Sequence, residues 1–346
     1  MLNTKSNYPD NKLLSDSLSS MSDYDSLDLS IERNNYKYDR EIVISLLLPT
    51  RNRKDHLDSF FKSLLKRTHA LEQIEVIIYV DDDDLSTREF VNKDVCFTKI
   101  IGPKLTMGQY NSVCYRISSG SKIMLVNDDI IIETDNWDKL LIKQLDKFDD
   151  EIYLAYPDDN FNQGRLSTFP ILSRKTCEIL VYPYPPLYKR LFIDTHIMDV
   201  FHRLIKKSRQ RIVYLNNIKF VHLKLDSHFG DEKSFQRTDC HDDYAFISLR
   251  ELRTSQAERL QSIINNTEPP LIRDNYALNN KYENYLNSCR WFYSNFIGDK
   301  DLPLIVRIKY FVRYAGHFFM IKTAFGIFAS RTYSVFKRNK TDSVAC

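Results

Sequence analysis

The stretch "KIMLVNDDIIIETDNW", residues 122–137, decides the fold. Ile123 to Val126 read as a buried strand, and Asp128 and Asp129 stand at its mouth, followed by three isoleucines. Adjacent ionised carboxylates repel, and desolvating them is costly unless a cation or hydrogen-bond donors compensate. Either the pair belongs to a solvated turn, or something positive sits beside it.

Working outward, the same kind of strand recurs. "EIVISLLLPT" (41–50) is a β-branched and leucine-rich run, and "QIEVIIYV" (73–80) is a second that stops at Asp81–Asp84. Between them, residues 53–68 place Leu57, Phe60, Phe61, Leu64 and Leu65 on one helical face. "FTKIIG" (97–102) predicts a short strand and residues 107–120 a helix with Gly120 as its C-cap. Residues 121–127 follow as a strand, 135–148 as a helix capped by Asp135, and 151–156 as a strand. Repeated strand–helix units predict an α/β fold, a mostly parallel central sheet flanked by helices.

Beyond residue 157 the pattern loosens. A strand, a turn and a short helix from about Ser173 are expected, then the rigid aromatic loop "YPYPPLY" (182–188) and a helix over 194–208. "RIVYL" and "IKFVHL" read as two short strands, and residues 242–264 as one amphipathic helix. Residues 1–38 are rich in Ser, Asp and Asn without periodicity, which predicts a disordered N-terminal arm. The expected division is therefore an arm (1–38), an α/β domain (39–265) and a helical, basic and aromatic C-terminal extension (266–346).

Composition narrows the chemistry. Eight glycines in 346 residues, and no GxGxxG or GxxxxGK[ST] pattern, weigh against dinucleotide-fold and P-loop enzymes. The net charge of +3 hides an asymmetry, because residues 303–340 carry eight bases and no acid. Such a segment points to an anionic partner. Its best apolar window, 314–330, is interrupted by Lys322, so it reads as a helix lying in a lipid headgroup region rather than a span. A helical appendage with a solvated basic face is the plainer alternative. Nucleic-acid binding is not expected, since no base-reading motif accompanies the bases. Six cysteines without a CxxC pair, and no signal-like N-terminus, predict reduced thiols in a cytoplasmic protein, with the inner face of a membrane as its expected peripheral site.

Three acidic clusters fall where strands end: Asp81–Asp84, Asp128–Asp129 and Asp158–Asp159. In open α/β sheets ligands bind outside the carboxyl ends of the strands. Three clusters on one edge concentrate negative field, which a divalent cation relieves. Mg²⁺ is usually held by one or two carboxylates plus substrate phosphates, so a nucleoside diphosphate suits this edge better than a caged metal.

"SLLLPTRNR", "YVDDDDLST", "MGQYNSV" and "MLVNDDI", in this order and spacing, resemble glycosyltransferase family 2-like proteins with the Rossmann-like GT-A fold. The likeness covers about residues 42–245 and extends to "FPILSRK", "DTHIMD", "VHLK" and the pair Asp243–Tyr244. It implies a hexosyltransferase-like enzyme (EC 2.4) that takes a nucleotide-diphospho-sugar, with a UDP-sugar as the expected donor, and Mn²⁺ or Mg²⁺. Carried over by position, Pro49, Thr50 and Arg51 would line the uridine pocket, and Asp82 or Asp83 would accept a hydrogen bond from the base. Asn111 would face the nucleotide, Asp128 the ribose or the metal's water shell, and Asp129 would ligate the metal. His222 matches a C-terminal histidine that completes metal or diphosphate binding. Lys224 stands where relatives often carry a second His and could instead neutralise phosphate. Asp194 matches the position of the general base. Asp158, Asp159 and Arg174 would lie on the donor-sugar and acceptor side, Arg174 either meeting phosphate or capping a neighbour.

The implied reaction builds positive charge on the sugar ring and negative charge on the departing phosphate, with the acceptor hydroxyl activated from the opposite ring face and the anomeric centre inverted. The acceptor would be a glycan or a lipid-linked sugar. Bland readings stand beside each assignment: Asp194 as a helix cap, Asp81–Asp84 and Asp128–Asp129 as solvated turns, His222 as a structural histidine. Two other functions compete, a non-catalytic nucleotide-sugar-binding scaffold and a nucleotidyltransferase. The latter usually has a Gly-rich loop after the first strand, which "PTRNRKDH" lacks.

Overall fold

The structure, a computed structural model, describes residues 27–34, 41–204, 210–222, 241–274 and 285–322. Its contacts gather into two units: residues 1–230 with 251–274, and residues 231–250 with 275–346.

The first unit is built on a nine-stranded sheet: β1 (Ser30–Arg33), β2 (Ile44–Thr50), β3 (Ile74–Asp81), β4 (Cys96–Gly102), β5 (Lys122–Leu125), β6 (Ile130–Ile132), β7 (Leu154–Asp158), β8 (Ile171–Ser173) and β9 (Ile212–His222). Their spatial order is β1-β4-β3-β2-β5-β8-β7-β9-β6. β4, β3, β2 and β5 run parallel, as do β7 and β9. β8 is antiparallel to both β5 and β7, so β7 and β9 point the same way as the core strands. β1 and β6 close the edges antiparallel. The expected mostly parallel α/β sheet is present, and β2 and β5 lie side by side where the strand order reverses.

Alternation assigns the faces. Leu46, Leu48, Val76, Ile78 and Met124 point into one core with Leu57, Phe60, Phe61 and Leu64 of α1 (Lys54–Arg67). Trp137, Leu141 and Leu145 of a later helix (Trp137–Leu145) complete that layer. Ser45 and Glu75 are register partners on the opposite face, where Ser45 Oγ donates to Glu75 at 2.6 Å and the Ser119 and Gly120 amides do the same. A side chain at Gly120 would collide with Ser45, which is why glycine stands there. It is not the helix cap expected for it, since the helix ends at Ser118. Asp135 likewise pairs with Arg67 instead of capping, and Asn136 in the left-handed region holds the cap position.

Further helices of this unit are α2 (Leu85–Arg88), α3 (Met107–Ile117), α4 (the Trp137–Leu145 helix above), α5 (Arg174–Leu180) and α6 (Ile193–Arg203). Three further expectations are corrected. Ser30–Arg33 lie inside the supposed arm yet pair with β4, giving its outer edge a partner; residues 1–26 fall outside the described residues. The two short strands over 211–223 are one continuous strand, β9. The single helix over 242–264 is two, α7 (His241–Ser248) and α8 (Arg250–Ile264), with Leu249 between them.

The second unit contains α7, α9 (Tyr285–Phe292), a π-helical turn (Tyr293–Ile297) and α10 (Leu304–Lys322). Aromatic rings hold it together: Phe246 stacks on Tyr314 at 5.3 Å, Phe296 on Tyr314 at 4.7 Å, and Phe292 meets Phe318 edge-on at 5.7 Å. Asp243 and Tyr244 are buried on α7, and Arg250 pairs with Asp299 at 3.2 Å. No helix among the described residues is long and apolar enough to cross a membrane. The tail beyond residue 322 lies outside the described residues, as does Lys224.

Candidate active site

The carboxyl ends of β2, β3, β5, β7 and β9 share one edge of the sheet, which gathers most of the expected residues. β2 ends at Thr50, whose hydroxyl donates to Asp128 Oδ2 at 2.7 Å across the point where the strand order reverses. The chain then turns through Asn52, held at φ 53°, whose amide donates to Asp84 Oδ2 at 2.6 Å. Asparagine tolerates this left-handed conformation better than most residues. The turn throws Arg51 to one side and Arg53 to the other.

Arg51 bridges the run after β3. Its guanidinium pairs with the buried Asp81 and with Asp83, reaching Asp83 Oδ2 at 2.8 Å. Those hydrogen bonds raise the Arg51 pKa further, and Arg51 holds Asp83 below the usual carboxylate range. Asp81 also accepts from Tyr110 of α3. The four acids thus divide. Asp81 and Asp84 are buried and used internally, Asp84 capping α2; burial opposes its charge, but hydrogen bonds from Thr87 and Asn52 outweigh that and hold its pKa low. Asp82 and Asp83 face solvent.

Arg53 takes the other carboxylates. It donates to Asp128 Oδ1 at 2.7 Å and lies 3.8 Å from Asp129 Oδ2. Burial pushes the Asp128 carboxyl up, against the pull of Arg53 and the Thr50 hydroxyl. Both Asp128 oxygens are engaged by protein groups, so this residue positions its neighbours. Asp129 begins the turn into β6, and the Ile130–His222 rung of β6 and β9 sets His222 beside it. His222 Nδ1 is buried 3.3 Å from Asp129 Oδ1 and makes no hydrogen bond among the described residues. The ring packs on Phe169, centroids 4.9 Å apart.

That buried imidazole nitrogen beside a buried carboxylate is the observation that fits a divalent cation. Among the described residues no group of three or more His, Cys, Asp or Glu converges on one point. An Asp–His pair suffices for a cation that draws its remaining ligands from phosphate oxygens and water.

Asn111 is buried, and its amide donates to the Met107 carbonyl of its own helix at 2.9 Å. Pro49 is half-buried opposite Tyr79. Asp158 lies at the end of β7, accepting from the Asn160 amide at 3.0 Å. Asp159 is an internal brace: it accepts from the Phe161 and Asn162 amides, the Asn162 side chain and Thr168. Asp194 sits in the first turn of α6, with Oδ1 accepting from the Thr195 amide at 2.6 Å. Its helix starts at Phe192, whose φ of 74° sets the cap without a side-chain bond. Ser167, from the loop after β7, donates to the Asp194 carbonyl at 3.1 Å.

Arg174 is not brought to this edge. β8 runs against β5, pairing Ser173 with Lys122, so Arg174 emerges at the amino-end edge. There it donates to the Gly120 carbonyl and Ser118 Oγ and covers the Tyr115 ring. "YPYPPLY" also turns inward: Tyr184 and Tyr188 are buried, and carbonyls of the loop accept from the Gly108 amide (3.0 Å) and the Thr106 hydroxyl (2.7 Å) at the start of α3. A Cβ at Gly108 would collide with the Pro185 carbonyl. Arg53 and Tyr110 were missed as site residues, although both stand inside the motifs "PTRNR" and "GQYNS".

No protein-family model and no curated protein sequence matches the chain. Solved structures do. The chain is similar to TarS of S. aureus with a TM-score of 0.48 at 14% identity, over 79% of this chain and 52% of that one, and so spans about half of its length. It is also similar to TarS 1–349 in complex with UDP-GlcNAc (TM-score 0.45, 15% identity, 80% and 90% covered). A third is the mannosyltransferase PcManGT from Pyrobaculum calidifontis in complex with GDP-Man and Mn²⁺ (TM-score 0.43, 9% identity, 94% and 90% covered). These likenesses concern the course of the backbone, and the chemistry of this chain is argued from its own residues.

Proposed function

We propose that this chain is a glycosyltransferase that moves a sugar from a nucleotide-diphospho-sugar, a UDP-sugar by preference, to a hydroxyl of a glycan or lipid-linked acceptor, with inversion. The observation that carries the reading is the strand-end edge where Arg51, Arg53, Asp83, Asp128, Asp129 and His222 meet. Asp82 and Asp83 are the exposed members of their run and would be the ones to accept from the base. Arg51 pairs with Asp81 and Asp83 and Arg53 with Asp128, and on donor binding both would turn toward the diphosphate. Asp129 and His222 would hold a divalent cation, Mn²⁺ or Mg²⁺, which supplies Lewis-acid stabilisation to the departing phosphate when bound.

Asp194 takes the acceptor proton. As its carboxylate accepts that proton, the acceptor oxygen bonds to the anomeric carbon, and the bond from that carbon to phosphate oxygen breaks toward the nucleoside diphosphate. The Thr195 amide keeps Asp194 oriented through Oδ1. The enzyme would work in the cytoplasm, peripheral to a membrane that carries its acceptor.

Calorimetric titration with UDP, with and without Mn²⁺, tests the reading. Metal-dependent binding is expected, and Asp129→Ala should lose it and lower turnover more than about a hundredfold while the fold is kept. Absence of metal-dependent binding for UDP and for other nucleoside diphosphates would overturn the proposal, as would normal turnover by Asp129→Ala. A screen of nucleotide-sugar hydrolysis then identifies the donor.

A further inference from the structure

Helix α10 has two opposed faces. Tyr310, Tyr314 and Phe318, spaced four apart, are buried in the aromatic cluster of the second unit. The other face is apolar and open. Leu304 is 59% exposed, Ile305 77%, Ile308 47% and Val312 63%. Ile305, Ile308 and Val312 follow the three-and-four spacing that places them on one stripe. Tyr293, also exposed, extends the apolar surface by its edge contact with Phe311. Single exposed hydrophobics need no explanation, but a contiguous stripe on a surface helix does. Lys309 and Arg313 border the stripe one turn apart, and no acid occurs between Leu304 and Lys322.

We propose that this face of α10 docks on an anionic lipid surface, the helix lying in the plane of the headgroups. This deepens the peripheral-membrane part of the reading above and rests on it only for the acceptor's location. Isoleucine, leucine and valine side chains would enter the acyl boundary, while Lys309 and Arg313 keep their charges at the level of the phosphates. A second copy of the same face would set these bases against their own kind, and a nucleic acid would leave the branched aliphatic side chains exposed. Arg307 stiffens the helix start by donating to the Leu302 and Ile297 carbonyls at 2.9 and 3.1 Å, so the face is presented by an already fixed element.

Flotation of the full chain with phosphatidylcholine vesicles, with and without phosphatidylglycerol, tests this, with UDP titration run on the same preparations. Binding to the anionic vesicles alone is expected. Ile305→Gln with Ile308→Gln should weaken it more than about tenfold, and Lys309→Gln about fivefold, without altering thermal unfolding or UDP affinity. Wild-type protein that stays off anionic vesicles overturns the proposal. So does an Ile305/Ile308 variant that floats normally, or one whose only change is loss of self-association or of RNA binding. UDP affinity that is absent while flotation survives would overturn the donor-site reading and leave the lipid face standing.

Discussion

Two places in the first unit set arginines against carboxylates, and they do so in opposite proportion. At the carboxyl edge of the sheet, two guanidiniums, Arg51 and Arg53, face four carboxylates, Asp81, Asp83, Asp128 and Asp129. Between α6 and α8, one carboxylate, Asp199, faces two guanidiniums, with Arg203 Nε at 2.6 Å and Arg253 Nε at 2.7 Å. The second cluster is closed. Burial works against the Asp199 charge, but the two arginines win and pull its pKa down to about 2. Beside it, His196 is clamped between the Tyr188 hydroxyl (2.9 Å) and Gln256 Oε1 (2.8 Å), and burial together with Arg253 lowers it to about 3.

The difference separates a brace from a site. A closed, base-rich cluster is answered from within, and its arginines keep Asp199 ionised despite its burial. The edge cluster has more carboxylates than arginines and lies partly open to solvent at Asp83 and Arg51. Burial of polar groups alone does not distinguish the two clusters; the sign of the excess and its access to solvent do.

Three substitutions act on this contrast. Asp194→Asn has the largest expected effect, a loss of about 10²–10⁴-fold in turnover with UDP affinity unchanged in the same calorimetric assay. Retained turnover would make Asp194 a helix-start residue only. Asp199→Ala should act on stability instead, costing about 3–5 kcal/mol in urea unfolding because two buried guanidiniums lose their counterion. Nucleotide affinity should not change; if it does, the two clusters are coupled. The third concerns pH. His196 falls from its ordinary 6.5 to about 3 on folding, so the unfolded chain binds more protons between those values. Its contribution is complete above pH 6.5 and is lost as pH falls toward about 3, with a slope approaching about 1.4 kcal/mol per pH unit. His196→Asn should flatten that part of the curve, and an unchanged slope would place the acid sensitivity elsewhere.

The acidic clusters at the strand ends were legible because apolar runs ended in acids, and parallel strands carry their ends to one side. Thr50 stands out only through the family resemblance, and its hydrogen bond to Asp128 appears only once β2 and β5 are set side by side. What sequence pattern could not supply was direction once the alternation failed. β8 has three residues and runs backwards, and this alone sends Arg174 to the far edge. Nor could composition say which acid of a run is spent internally: Asp159 looks like Asp129 in the sequence, yet four hydrogen bonds from its own loop occupy it. Arg53 was overlooked because a helix-start arginine reads as a solvated charge until the strand beside it is placed.

The pairing of Ile130 with His222 bears on the order of assembly. Asp129 leaves the sheet's centre early in the chain, whereas His222 arrives at the end of its last strand. β9 brings Leu215, Ile218 and Phe220 to the core as well as His222 to Asp129, so the core and the Asp–His pair are completed together. A nascent or clipped chain that stops short of β9 would lack part of that core and the pair together. If the pair takes a cation as proposed, metal affinity would report that the ninth strand is in place.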